Sequence, residues 1–372
     1  QFVKYESPPG RLGPALLEAE EVSSAPLQAN RTHRRRASHH PGSPIRDGEN
    51  QYSRSAGHPK LVQAIADTFE VPINPMDEVT VTCGSTETIA AAILGLVNPG
   101  DEVIVIEPFY DSYLACLSMA GAKVKIVTLH SPDFQLNRAE LEEAFNDNTR
   151  MIILNTPHNP TGKVFSLDEL KTIAELAQKH NAIVLSDEVY DKLVLTGEHI
   201  PIATLPGMKD RTITLRSLGK VFSVTGWKIG WAVAPIAYSN AIRSAHQFLS
   251  FCAATPLQVA AATALLAPQE YFSEYTNEYR ERRDLLVSGL QSAGFDVKSP
   301  EGTYFVLANH TPFGFDDDAA FCLHMVKKAK VVGIPPSAFY AKSNEGQSMV
   351  RFAFCKGLDT LQIAVERLQA LA

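Results

Sequence analysis

Short stretches that are apolar throughout recur along this chain, and segments with helical spacing separate them. Residues 79–82, 103–106, 123–129, 151–154, 182–185, 212–215 and 229–234 read as strands. Residues 61–69, 87–97, a segment ending at Gly121, 141–145 and a segment ending at His180 read as helices. The last helix opens on Ser166-Leu167-Asp168-Glu169, a capping box. A strand without a polar face needs cover on both sides, and alternation with helices makes neighbouring strands mainly parallel. The pattern predicts an α/β fold with a mainly parallel sheet in a large domain. Helices over 256–266 and 271–291 then lead to 295–306, 320–328 and 350–354, which predict a smaller α+β domain. A length of 372 residues exceeds one typical hydrophobic core and agrees with two domains. The expected division is an N-terminal arm at 1–48, a large domain at 49–262 and a small domain at 263–372.

Composition narrows the function. A formal charge of -7 argues against a nucleic-acid partner. No apolar run is long enough to cross a bilayer, so no membrane partner is expected. The start of the chain has no signal-peptide pattern. Cys83, Cys116, Cys252, Cys322 and Cys355 are scattered without metal-ligand or redox spacing, as expected of reduced thiols in an intracellular protein that binds no metal. Residues 16–21 read as a short helix, and the arginine cluster at 31–36, followed by Ser38, reads as a solvated basic arm.

In a parallel sheet the carboxyl ends of the strands share one edge, where ligands bind. The residues expected there are Gly84-Ser85-Thr86, Tyr110, Asn155 with Asn159, Asp187 with Tyr190, and Ser217 with Lys220. Lys220 sits in Ser217-Leu218-Gly219-Lys220, read as a short loop among small residues. A crowded lysine loses proton affinity and becomes a nucleophile or base, although a lysine beside glycine is often an ordinary loop residue. Gly84-Ser85-Thr86 opens a helix with free N–H groups, which serves either as a phosphate cup or as a plain structural cap. Ser217 and Lys228 could add a hydroxyl and a charge to the same anion. Asp187, at the end of an apolar strand, needs a cationic partner, such as a protonated ring nitrogen, a lysine or an arginine. Tyr190 and Asn159 offer donors to a phenolate oxygen, and Tyr110 offers a flat face for stacking. Together these residues describe a pyridoxal phosphate site.

Asn159-Pro160-Thr161-Gly162, Asp187-Glu188-Val189-Tyr190 and Ser217-Leu218-Gly219-Lys220 stand in the order and spacing of the class I/II pyridoxal-phosphate aminotransferases, and the chain resembles that fold type I family. Ile106-Glu107-Pro108-Phe109-Tyr110-Asp111 and Ile334-Pro335-Pro336-Ser337-Ala338-Phe339-Tyr340 are similar to the group of kynurenine aminotransferases, cysteine-S-conjugate β-lyases and glutamine transaminases. The resemblance covers roughly residues 50 to 370. It implies that Lys220 carries the cofactor and moves the substrate proton, and that Asp187 holds the ring nitrogen protonated. It implies that Asn159 and Tyr190 bind the ring oxygen, and that Tyr110 stacks on the ring. Ser85, Thr86, Ser217 and Lys228 would hold the phosphate; arginine is common in the family at the position of Lys228. Arg351 would clamp the substrate α-carboxylate with the help of Asn155. Tyr52 would reach the phosphate of a neighbouring subunit and Phe251 would wall its substrate pocket, which implies a homodimer.

The implied activity is transamination between kynurenine, glutamine or another bulky neutral or aromatic L-amino acid and a 2-oxo acid, with β-lyase side activity, in the cytoplasm or mitochondrion. The alternative is a cofactor-binding protein of the same fold with little activity. Its motive is the departure from the family across residues 6–48, read as a replaced segment or a sequence error. A dinucleotide-dependent oxidoreductase is disfavoured, because no G-x-G-x-x-G follows an early strand.

Overall fold

The computed structural model describes residues 44–45 and 47–371. The expected short helix at 16–21, the arginine cluster and Ser38 lie outside the described residues, as does most of the departure at 6–48. The first half runs α1 Pro59–Asp67, α2 Pro75–Glu78, β1 Val79–Thr82, α3 Ser85–Leu96, β2 Glu102–Glu107, α4 Ser112–Ala120 and β3 Lys123–Thr128. It continues through α5 Arg138–Ala144, β4 Thr149–Asn155, α6 Leu167–Lys179, β5 Ile183–Asp187, β6 Thr212–Ser217, α7 Leu218–Val221 and β7 Gly230–Val233. Then follow α8 Ile236–Leu249, α9 Thr255–Ala264, α10 Gln269–Ser292, β8 Asp296–Val297 and β9 Phe305–Asn309. The chain closes with α11 Asp318–Lys328, β10 Met349–Ala353 and α12 Leu358–Leu368.

The large sheet has seven strands in the order β1-β7-β6-β5-β4-β2-β3. Pairs within β6-β5-β4-β2-β3 are parallel, whereas β7 is antiparallel to both β6 and β1. The mainly parallel sheet is thus present, with β7 as its reversed strand. The reversal matters for the site. The start of β7 lies beside the carboxyl ends of two neighbours, with Gly230 opposite both Thr82 and Ser217. A Cβ on Gly230 would stand 2.6 Å from the Gly84 carbonyl carbon and the Ser85 nitrogen, so glycine permits the approach of β7 to the start of α3.

The unbroken apolar strands have a simple reason. Val103, Val105, Met151, Ile153, Ile183 and Leu185 join one buried cluster, which includes residues of α3 and α4. The alternating Ile104, Ile106, Ile152, Leu154 and Val184 join another, which includes residues of α5 and α6. Each such side chain contributes about 1.5–3 kcal/mol of transfer free energy, and a strand flanked on both faces favours apolar residues at successive positions. The capping box holds: Ser166 Oγ accepts from Glu169 N–H at 3.4 Å, and Glu169 Oε2 accepts from Ser166 N–H at 2.9 Å.

A second sheet of three antiparallel strands, in the order β10-β9-β8, forms the core of the C-terminal part with α10, α11 and α12. The division expected at 262/263 falls inside α9. We propose instead that it lies in the turn at 265–268, which leaves both helices whole. Among the described residues no helix is long and apolar enough to cross a membrane, and no cluster of His, Cys, Asp and Glu could hold a metal.

Candidate active site

The carboxyl edge of the large sheet surrounds a cavity of about 150 Å³. It is lined by Gly84, Ser85, Thr86, Tyr110, Asn155, Asn159, Asp187, Tyr190, Ser217, Lys220 and Lys228, each expected from the sequence. Val189, Gly219 and Thr225 line it as well. Arg351, Tyr52 and Phe251 do not.

Lys220 is not on a loop. It lies in the single helical turn α7, which Ser217 caps by accepting from Gly219 N–H at 3.2 Å. The Ser217 hydroxyl also points to Ile229 O at 3.3 Å. Tyr275, on α10, donates to the Lys220 carbonyl at 2.7 Å, and Tyr271, one turn earlier, donates to Val221 O at 3.1 Å. The amine itself donates to Tyr304 Oη at 2.9 Å. Desolvation by burial lowers its pKa below that of an ordinary lysine, partly opposed by Tyr110 and Asp187.

Asp187 ends β5 and is buried. Burial pushes its carboxyl up to about 6, although Tyr113 Oη donates to it at 2.6 Å and Val189 N–H at 3.3 Å. Its nearby cationic group is Lys220. Among the described residues the carboxyl thus lacks the close positive partner that its position calls for. On the opposite face of the strands Glu188 and Arg216 form a buried pair at 2.8 Å, and Arg216 also reaches Glu70 at 2.9 Å. Burial opposes the Glu188 charge, but Arg216 and His199 hold its pKa down at about 2. The paired acid therefore supports the sheet, and its neighbour faces the cavity.

Gly84 precedes α3 with φ +80 and no side chain caps the helix. A Cβ there would lie 3.0 Å from Lys228 Cε and Nζ, so the lysine arm crosses directly over the turn. Lys228 has a left-handed backbone, φ 54, which aims it back from the start of β7. The result is a helix N-terminus with two hydroxyl residues and a cation, which suits a phosphate. The cradle, the unpaired carboxyl and the desolvated amine share one cavity, and they fit pyridoxal phosphate.

Asn155 has structural partners in addition to its place on the cavity wall. Its Nδ2 donates to Asp187 O at 2.9 Å and its Oδ1 accepts from Asn159 N–H at 2.8 Å. It fixes the Asn159 loop to the end of β5. Arg351, on β10, donates to Asn159 Oδ1 at 3.0 Å. Its guanidinium lies 4.2 Å from the Phe305 ring centre and 4.6 Å from that of Phe339. Among the described residues no carboxylate pairs with it. Tyr52 and Phe251 touch edge to face at 5.2 Å on the surface, with Tyr52 81% exposed.

Tyr113, Tyr275 and Tyr304 were not anticipated. Tyr113 lies in the first turn of α4, three residues after Tyr110, which precedes the helix; the two rings meet edge to face at 5.7 Å. Tyr271, Tyr275 and Tyr279 form a stripe on α10, which in sequence looks like ordinary core. Tyr304 comes from the small sheet, and nothing local marks it.

The family model "Aminotransferase class I and II" matches residues 29–368. A probable N-succinyldiaminopimelate aminotransferase of Mycobacterium tuberculosis is 44% identical over 344 residues, spanning 88% of this chain and 86% of the relative. A kynurenine–oxoglutarate transaminase of Dictyostelium discoideum is 40% identical over 366 residues, spanning 87% and 84%. The solved structure of N-succinyldiaminopimelate aminotransferase from Mycobacterium tuberculosis superposes with a TM-score of 0.88 at 42% identity, covering 99% of this chain and 91% of that one. The chain belongs to the class I and II aminotransferases, fold type I enzymes that use pyridoxal phosphate.

Proposed function

We propose that this aminotransferase moves the amino group of kynurenine, glutamine or another bulky neutral or aromatic L-amino acid to a 2-oxo acid. The observation that carries the substrate reading is Arg351, a largely buried guanidinium with no carboxylate partner among the described residues and with the ring centres of Phe305 and Phe339 at 4.2 and 4.6 Å. Such a cation calls for an anion, and its planar fork matches a carboxylate in two parallel hydrogen bonds. The phenyl rings of Phe305 and Phe339 suit an uncharged, flat side chain better than an acidic one. The relative named for kynurenine agrees with that preference.

Pyridoxal phosphate, when bound, supplies an electron-withdrawing ring that stabilises negative charge at the substrate α-carbon and takes up the amino group. The chain's own residues do the rest. Ser85, Thr86, Ser217 and Lys228 hold the phosphate. Asp187 keeps the ring nitrogen protonated, and Tyr113 steadies the carboxylate. Tyr190 and Asn159 would donate to the ring oxygen, and Tyr110 would hold the ring. Lys220 holds the cofactor and, once released, moves the proton at the α-carbon; its lowered basicity suits both tasks. Arg351 orients the α-carboxylate, and Asn159 holds Arg351. β-Elimination from cysteine conjugates is a proposed side activity of the same site.

The assembly proposed is a homodimer. Phe248, Leu249 and Phe251 are exposed around the end of α8, and Tyr52 packs on Phe251. A contiguous apolar patch of this kind marks an interface. In the dimer Tyr52 would reach the phosphate of the second copy and Phe251 its substrate pocket. The cytoplasm or the mitochondrion is the proposed compartment.

The test is Arg351→Ala, assayed with L-kynurenine and 2-oxoglutarate. The expected result is a rise in KM of about 10²-fold or more, the range for a buried charged contact. An unchanged KM overturns the placement of the carboxylate.

A further inference from the structure

The end of β2 holds a second constellation just outside the cavity. Glu107 is fully buried there, three residues before Tyr110. Its Oε1 accepts from Thr128 Oγ1 at 2.9 Å and from Ser343 N–H at 2.8 Å. Its Oε2 accepts from Ala341 N–H at 2.7 Å and Lys342 N–H at 3.0 Å. Three consecutive main-chain N–H groups converge on one carboxylate. That is an anion nest whose anion comes from elsewhere in the same chain.

Within the sheet only the Thr128 hydroxyl of β3 uses the carboxylate. The ladder bond to β3 uses the Glu107 main-chain oxygen, which accepts from Leu129 N–H at 2.8 Å, and the preceding β2 residues are apolar. The carboxylate serves the segment 339–343, which belongs with the small sheet. Phe109 N–H adds a further tie, donating to Phe339 O at 2.9 Å. Around this centre, Lys342 pairs with Glu140 at 2.7 Å and Glu345 accepts from Ser131 N–H at 2.8 Å.

The stretch leading into that segment, from Ile334, meets Arg351. Ile334 exchanges two main-chain hydrogen bonds with Arg351, each 3.0 Å. Ser337 N–H is held by Asp318 Oδ2 at 2.7 Å, and the Phe339 ring faces the Arg351 guanidinium. A strap thus runs from the rim of the large sheet, beside Tyr110, to the guanidinium on the small sheet. The cavity belongs to one sheet and the carboxylate clamp to the other, so their relation must be fixed by a tie between them.

We propose that Glu107 is a positioning residue for substrate recognition: its nest pins segment 339–343 to the large sheet, and Phe339 thereby sets where Arg351 points. The inference rests on reading Arg351 as the clamp for the substrate carboxylate and adds how that clamp is aimed. Carboxylate affinity then depends on Glu107, whereas cofactor attachment does not.

Glu107→Gln tests this in the holoenzyme. The amide nitrogen cannot accept, so at least one strap N–H loses its partner. The probe is 3-phenylpropanoate, a carboxylate without an amino group, titrated against the visible absorption of the bound cofactor. The Kd is expected to rise about tenfold, with KM for both substrates rising in step and kcat within about twofold, the signature of lost uniform binding. The spectrum and borohydride-reducible attachment of the cofactor stay as in the unmodified enzyme. A lower Tm with an unchanged Kd makes Glu107 merely structural and overturns the proposal. Arg351→Lys is measured in parallel. If it leaves Kd unchanged, or if the unmodified holoenzyme does not bind the probe, the clamp reading itself is wrong. If Arg351→Lys weakens binding and Glu107→Gln does not, only the strap is wrong. Should Glu107→Gln fail to fold, Phe339→Leu leaves the nest intact and removes the ring facing Arg351. Its Kd is expected to rise, and an unchanged value overturns the proposal.

Discussion

Asp187 has opposite consequences in the free and the loaded chain. Without cofactor its pKa is raised from 3.8 to about 6, chiefly by burial. Between those values the folded chain holds a proton that the unfolded chain has released, so the contribution to stability is complete below pH 4 and is lost as pH rises through 6. Asp187→Asn removes that loss. The cofactor-free variant should be more stable than the parent at pH 8, by on the order of 3 kcal/mol at most, with no gain at pH 3.5. Denaturant unfolding at the two pH values checks it. The same variant should bind pyridoxal phosphate less well, because it removes the proposed partner of the ring nitrogen. Most of this was legible: an acid at the end of an apolar strand needs a partner. Tyr113 was not, because a hydrogen bond from a neighbouring helix leaves no mark in the local sequence. The structural contacts of Asn155 were hidden for a related reason. Its amide oxygen and nitrogen each hold one partner, Asn159 N–H and Asp187 O, contacts that the local sequence does not mark.

Among the elements, the apolar strands and their helices were legible because both faces of the sheet are covered. α8 and α12 were not. α8 follows Pro235, has no side-chain cap, and contains weak helix formers such as Ser239, Asn240, Ser244 and His246. Packing on α3 stabilises it. A Cβ on Gly95 of α3 would lie 2.5 Å from the Ala241 carbonyl oxygen of α8. Gly95→Ala should therefore destabilise the protein by about 1–3 kcal/mol, despite alanine's better helix propensity. A lower midpoint in urea with an unchanged slope is the expected result. α12 starts at Gly357 without a side-chain cap, and its buried Leu361, Val365 and Leu368 carry the only helical signal. Four residues give no period, so the single turn α7 looks like loop in the sequence; it exists because Ser217 caps it and Tyr275 holds the Lys220 carbonyl from outside.

For the whole molecule, the mainly parallel sheet and the site at its carboxyl edge followed from the strand pattern, and the small α+β unit followed in outline. The contribution of that unit to the site did not. Tyr304, Phe305, Phe339 and the Glu107 strap become neighbours only when the two sheets meet. Assembly belongs to this scale. Phe248, 88% exposed, sits in the proposed dimer face, and Phe248→Glu should shift the protein from dimer to monomer in sedimentation experiments. Activity should fall with it, because Tyr52 would no longer reach a second site.

The central claim is that Lys220 and Arg351 serve one reaction on an aromatic amino acid. The most direct measurement is the visible spectrum of the purified holoenzyme before and after L-kynurenine, with Lys220→Ala beside it. The account predicts that the cofactor band moves to the amino form in the parent, and that Lys220→Ala loses both the change and borohydride-reducible attachment. A parent band that does not respond to L-kynurenine, or a Lys220→Ala variant that keeps the reducible attachment, would contradict it.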